Sequence, residues 1–110
     1  MPYDPGLAAR LEEIVAGRSG FEEKKMFGGV GWMLNGNMCV GVYKEWLITR
    51  IGVEEAAKLL AEPHVKPMDI TGRAMKGWAM IAPEGLEEDA DIQRHVMLAE
   101  KFVRTLPPKK

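Results

Sequence analysis

Apolar residues recur every three or four positions near both ends of the chain, which is the spacing of one face of a helix. Near the start the recurring positions are Leu7, Leu11, Ile14 and Val15. Near the end they are Ile92, Val96, Ala99, Phe102, Val103 and Leu106. Asp4 and Pro5 form a typical helix start, because Asp can cap the first turn and Pro needs no N–H partner there. The pattern predicts helices over residues 4–18 and 89–106.

The stretch KKMFGGVGWMLNGNM, residues 24–38, is apolar, rich in glycine and open to two interpretations. A glycine-rich phosphate loop would continue as Gly-Lys-Ser or Gly-Lys-Thr and then a helix, and neither follows here. Asn35-Gly36 is instead a strong signal for a two-residue hairpin turn. We therefore expect antiparallel strands over residues 24–34 and 38–43.

Three more short apolar runs are bounded by turn residues and predict further strands. They cover residues 46–51, 67–71 and 77–82. Good helix formers over residues 53–62, between Gly52 and Pro63, predict another helix. The element order is then α-β-β-β-α-β-β-α in a single domain, residues 1–110. Since hairpin connections imply antiparallel neighbours, we expect an α+β fold with helices packed on an antiparallel five-stranded sheet.

Neither face of the predicted sheet is polar. In the second strand, Met38, Val40 and Val42 share one face, and Cys39, Gly41 and Tyr43 lie on the other. A sheet with one face in water alternates apolar with polar positions, and this one does not. We therefore expect the second face to be covered by a homodimer through a sheet face. The alternative is a monomer whose helices divide between both faces.

The total charge is close to neutral, with 15 Lys and Arg against 16 Asp and Glu. A dedicated nucleic-acid-binding protein normally has a basic excess, so this balance argues against one. Cys39 is the only cysteine, which excludes an intrachain disulfide and suits a reducing compartment. The first residues lack a signal-peptide pattern, and no apolar run approaches the ~20 residues that span a bilayer. We expect a soluble, cytoplasmic protein without membrane contact.

The sequence holds no residue pattern typical of catalysis or of metal binding. Cys39, His64 and His95 lack the spacing of metal ligands, and no Gly-x-Ser-x-Gly motif occurs. Cys39 is expected as a small core residue, and both histidines are expected at the surface or partly buried. We expect a protein that is not an enzyme, without cofactor and without metal.

One group of residues could bind an anion or an acidic partner if it converges near one end of the sheet. Its members are Lys24, Lys25, Arg50, Arg73, Lys76 and Trp78. Arg50 lies inside a predicted strand, where it either pairs with an acid such as Asp69 or covers apolar surface with its stem. The alternative for the whole group is that these charges keep the protein soluble and protect the sheet edges.

Several segments resemble the TfoX N-terminal domain family over nearly the whole chain. They are MPYDPGLAARLEEIVAG, EKKMFGGVGWMLNGNMCVGV, DITGRAMKGWAMIAPEGLEEDADI and FVRTLPPK. The resemblance implies an α+β fold of the YgaC/TfoX-N type and no established catalytic residues. The family takes its name from a regulator of competence for DNA uptake, in which this domain is joined to a C-terminal helical domain. No such domain precedes Lys110 here, so we expect a stand-alone member to which the regulatory role transfers poorly.

Three functions follow from these observations. The first is a non-catalytic binding or regulatory module that acts through protein–protein contacts. The second is a binder of small anionic ligands, with or without unrecognised catalysis, that uses the basic group. The third and weakest is direct DNA binding, which the charge balance disfavours.

Overall fold

The computed structural model describes residues 3–26, 29–68 and 76–108. In these ranges the helices are α1 (Pro5–Val15), α2 (Val53–Leu59) and α3 (Asp89–Val103), and a short 3-10 helix spans Pro83–Gly85. The strands are β1 (Phe21–Met26), β2 (Gly29–Leu34), β3 (Asn37–Tyr43), β4 (Trp46–Arg50), β5 (Val65–Pro67) and β6 (Trp78–Ile81). None of the helices in the described ranges is long and apolar enough to cross a membrane.

The strands form one antiparallel six-stranded sheet with the order β1-β2-β3-β4-β6-β5. The α+β class is confirmed, but the expected five strands and their order are wrong. The strand expected over residues 24–34 is in fact two strands, since Met26 pairs with Gly29 and the chain reverses between them. FEEKKM has no apolar alternation because β1 lies at the sheet edge and its four charged side chains are exposed, so its pattern looks like that of a loop.

Most other boundaries lie within a few residues of those expected. The cap of α1 is confirmed, because Asp4 Oδ1 accepts hydrogen bonds from the backbone N–H groups of Gly6 at 2.8 Å and Leu7 at 3.4 Å. The strand expected over residues 67–71 corresponds to β5, which begins earlier, and residues 69–71 lie outside the described ranges.

The main core lies between one face of the sheet and the helices. Leu11 of α1, Leu59 of α2 and Val96 of α3 are among its buried residues. From the sheet, Trp32 and Leu47 belong to the same cluster. The helices therefore cover one face, and burial of this apolar surface supplies most of the drive for folding.

A bulge at Cys39 breaks the regular alternation of β3. Trp32 pairs with Val40, but the next residue, Met33, pairs with Met38, so Cys39 is an extra residue on its strand. Cys39 joins the helix-covered core, while Met38 is turned to the other side of the sheet. The expectations that Met38 shares a face with Val40, and that Cys39 shares the other with Gly41, are therefore wrong, because they assumed an unbroken two-residue period.

Candidate functional site

The face of the sheet opposite the helices, here called the open face, is the candidate site. A small cluster of Ile48, Met68 and Met80 lies on it, and no described helix contributes to that cluster. The strand register assigns the remaining positions to this face by alternation. They include Glu22, Lys24, Gly31, Met33, Met38, Gly41, Tyr43, Trp46, Arg50, Lys66 and Trp78.

Two glycines lie in the middle of the open face. Gly31 and Gly41 are paired across β2 and β3, and the same row continues through Ile48 and Met80. A Cβ atom at Gly41 would lie 2.9 Å from the carbonyl oxygen of Val30 and 2.8 Å from the Met38 methyl group. Only glycine fits here without displacing backbone, and both glycines are buried, with the Met38 methyl group over Gly41.

Aromatic rings on the open face each have a cation nearby. Arg50 Cζ lies 5.5 Å from the centre of the Trp78 ring, which is directly opposite on the neighbouring strand. Lys66 Nζ lies 4.6 Å from the centre of the Trp46 ring. At the adjacent turn, Lys44 Nζ lies 5.5 Å from the Tyr43 ring. These distances are in the range of favourable cation–π contacts, and the aliphatic stems cover part of the apolar surface.

The open face is positively charged. Lys24, Arg50 and Lys66 on it outnumber Glu22, so the described positions sum to +2 (3 − 1). The whole chain has a formal charge of −1. The face therefore favours carboxylate or phosphate groups even though the protein as a whole does not.

The structure brings together only part of the basic group predicted from the sequence. Arg50 and Trp78 are in contact, and exposed Lys76 lies two residues before Trp78. Lys24 and Lys25 are on β1, three strands and about 14 Å from β4, and they point to opposite faces. Arg73 lies outside the described residues, as does Asp69, the acid considered as a partner for Arg50.

Sequence reasoning missed Lys66 and gave Trp46 no role. Their pairing depends on β5 lying beside β6 rather than beside β4, which no local pattern encodes. A weak signal existed, because Trp46 alternates with Arg50 and Ile48 on one strand and so had to share their face.

Cys39 and His95, two residues with nucleophilic or acid–base potential, are buried away from the open face. Cys39 is fully buried, as expected, and desolvation, with a smaller effect from Glu100, raises the pKa of its thiol to about 12. His95 is 2% exposed, so the expectation of a surface or partly buried residue is wrong. Burial and the neighbouring charge of Arg94 lower the pKa of His95 to about 4.

Two shallow concavities lie elsewhere, and neither includes a residue of the open face. One, of about 240 Å³, is at the start of α1, and the other, of about 510 Å³, follows the outer side of α3. Within the part of the chain that the structure describes, no group of three or more His, Cys, Asp or Glu side chains is placed to hold a metal ion.

Comparison with known proteins gives one family assignment. The model of the TfoX N-terminal domain family matches residues 13–103, which confirms the resemblance seen in the sequence. Searches of curated proteins and of solved structures returned no match. Since the matched region includes every described strand and helix except the start of α1, the chain belongs to the TfoX N-terminal domain family.

Proposed function

We propose that this protein is a non-catalytic binding module whose open face docks onto an acidic, apolar segment of a partner protein. The observation that supports this most is the set of cation–aromatic pairs on a sheet face that no described helix covers. Trp, Tyr, Met and Arg are the residues enriched at protein interfaces, where a few of them provide most of the binding energy.

The charge of the face favours a partner that supplies carboxylates. Arg50 and Lys66 lie beside the apolar cluster, Lys24 lies three strands away on β1, and each would gain an opposite charge from such a segment. Met33, Met38, Trp46 and Trp78 are half-buried on the same face and would contact the apolar residues of such a segment. An extended segment that alternates acidic and apolar residues therefore complements both the charge and the apolar side chains of the face.

A second copy of the chain fits the open face less well. In a face-to-face homodimer, the excess cations of one face would approach those of the other, and like charges in an interface oppose association. The homodimer through a sheet face that the sequence suggested therefore stays a prediction, and it is one outcome of the experiments below.

The absence of catalysis is part of the proposal. Its support is that Cys39 and His95, two of the three cysteine and histidine side chains, are buried on the helix side. The raised pKa of Cys39 keeps its thiol protonated, and the lowered pKa of His95 keeps its ring neutral at neutral pH. Neither side chain can meet a substrate on the open face without rearrangement of the core.

A peptide-display selection tests the proposal. The wild-type protein is the bait, and counter-selection uses the double variant Arg50→Glu with Lys66→Glu, which reverses two open-face charges. The matched control is Lys58→Glu with Lys101→Glu, which makes the same charge change at exposed positions on α2 and α3. We expect enriched peptides to combine Asp or Glu with large apolar residues, to bind the control normally and to bind the open-face variant at least tenfold more weakly.

Two results would contradict the proposal. Peptides without acidic bias, or peptides that bind the open-face variant as tightly as the wild type, would exclude the open face as the docking surface.

A thermal-shift series with mononucleotides, phosphosugars and a DNA oligonucleotide tests the two alternative functions, small-anion binding and DNA binding. Stabilisation by a small anion at Arg50 and Lys76, or DNA binding that weakens steeply with salt, would favour the small-ligand or nucleic-acid alternative instead.

A further inference from the structure

The two edges of the sheet differ in how they are protected against further strand pairing. β5 is three residues long and contains Pro67, which has no backbone N–H to donate. β1 is six residues long, contains no proline and pairs with β2 without a break in register. Short strands and proline are common ways to block an edge, so β5 is blocked and β1 remains able to accept another strand.

The charges on β1 are balanced, which distinguishes them from a repulsive guard. Glu22 and Lys24 lie on the open-face side, and Glu23 and Lys25 lie on the helix side. All four side chains are exposed. An edge with charges of one sign would repel a second copy of itself. On β1, each side of the strand carries Glu followed by Lys, so in an antiparallel pair of two copies the Glu of one strand can lie opposite the Lys of the other.

We propose that β1 pairs antiparallel with β1 of a second copy of this chain, which joins the two sheets edge to edge. Paired residues in an antiparallel ladder point to the same side of the sheet. With a twofold axis perpendicular to the sheet, one residue of β1 must therefore lie opposite its own copy, and the axis passes between the two. An axis at Glu23 places Glu22 opposite Lys24 twice, and an axis at Lys24 places Glu23 opposite Lys25 twice. Either register gives two opposite-charge pairs beside one like-charge pair on the axis.

This arrangement has a consequence for the open face. An axis perpendicular to the sheet keeps both open faces on one side and both helix layers on the other. The dimer therefore presents two open faces next to each other. Such a dimer can bind a partner with two docking segments more tightly through effective concentration. The dimer itself does not depend on the proposed function.

A charge-swap experiment tests the pairing. Glu22→Lys with Glu23→Lys makes β1 wholly basic in its charged residues, and Lys24→Glu with Lys25→Glu makes it wholly acidic. In sedimentation equilibrium, the wild-type mass should rise with concentration from 12.3 kDa towards twice that value. Each variant alone should stay monomeric, and an equimolar mixture of the two should recover the dimer.

Controls distinguish loss of the β1 pairing from unfolding and from dimerisation through another surface. Circular dichroism should show both variants folded, because the substituted side chains are exposed. Lys58→Glu with Lys101→Glu should dimerise as the wild type does. The proposal is overturned if the wild type is monomeric at every concentration, if either β1 variant dimerises alone, or if the mixture stays monomeric. A dimer lost only in the Arg50→Glu, Lys66→Glu variant would likewise overturn it and indicate a face-to-face dimer.

Discussion

Lys66 on β5 reaches across the intervening strand β6 to place its ammonium group 4.6 Å from the centre of the Trp46 ring on β4. Met80 of β6 is paired with Lys66 in register and is only 3% exposed. The stem of Lys66 thus lies over apolar surface that no described helix covers. This single side chain both shields the open face and gives it charge.

Lys66 should therefore contribute to stability through its stem as well as through its charge. We expect Lys66→Ala to lower the free energy of unfolding by about 0.5–1 kcal/mol, the range of an exposed cation–π contact with some loss of apolar cover. Lys66→Met keeps an unbranched stem and should recover part of that loss. Urea unfolding measures both, with Lys58→Ala as the control. Equal stability of the Ala and Met variants would show that the stem covers nothing of consequence.

Gly41 on the open face should not tolerate an added methyl group. Gly41→Ala places a Cβ atom 2.9 Å from the backbone oxygen of Val30, which cannot move without shifting β2. We expect a loss of about 1–3 kcal/mol in the free energy of unfolding. Gly17→Ala is the control, because nothing lies within 4 Å of its Cβ position, and it should change stability by less than about 0.5 kcal/mol. Similar effects of the two substitutions would argue against the tight strand contact.

Stability should fall as the pH is lowered from about 6.5 to about 4 because of His95. Its pKa is lowered from 6.5 to about 4, chiefly by burial and then by Arg94, against opposing effects of Glu62 and Asp91. Between these values the unfolded chain binds a proton that the folded chain does not. The free energy of unfolding therefore decreases with acidification, by about 3 kcal/mol in total for this group.

Substitution of each histidine separates this effect from general acid unfolding. His95→Gln should flatten the slope of stability against pH in that window, as measured by urea unfolding at a series of pH values. His64 is exposed with a positive φ of 67°, a conformation that Asn adopts readily, so His64→Asn is the matched control and should keep the slope. An unchanged slope in the His95 variant would mean that its ring is not held neutral by burial.

Cys39 should be inert towards thiol reagents in the native protein. Its side chain is fully buried and its pKa is raised to about 12, so both access and thiolate fraction are low. We expect an aromatic disulfide reagent to label it in urea within the mixing time of a bench assay and at least a hundredfold more slowly without urea. Comparable labelling rates with and without urea would contradict the burial of the Cys39 side chain at the bulge.

The sequence predicts the fold wherever local chemistry decides the structure. Asn35 and Gly36 both have positive φ, at 53° and 85°, as the hairpin turn requires, and Asp4 caps α1 as its position before Pro5 predicts. β1 escapes prediction because an edge strand with two exposed faces needs no apolar alternation. The bulge at Cys39 escapes it because a single extra residue leaves no mark in composition.

The candidate site is less accessible to sequence reasoning than the fold. Arg50 and Trp78 could be suspected as neighbours, but Lys24 and Lys25 prove to lie at the far edge of the sheet. Lys66 meets Trp46 only because β6 inserts between their strands. Such contacts depend on strand order, which residues distant along the chain determine together.

The most direct test of docking at the open face follows the three tryptophan indole N–H signals by NMR during titration with an acidic, apolar peptide enriched in the selection. Trp46 and Trp78 lie on the open face, whereas Trp32 is 3% exposed on the helix side and serves as an internal control. We expect the Trp46 and Trp78 signals to shift and that of Trp32 to stay, with no shift when Gln replaces every acidic residue of the peptide. Binding that leaves the Trp46 and Trp78 signals in place, or that shifts all three equally, would contradict docking at this face.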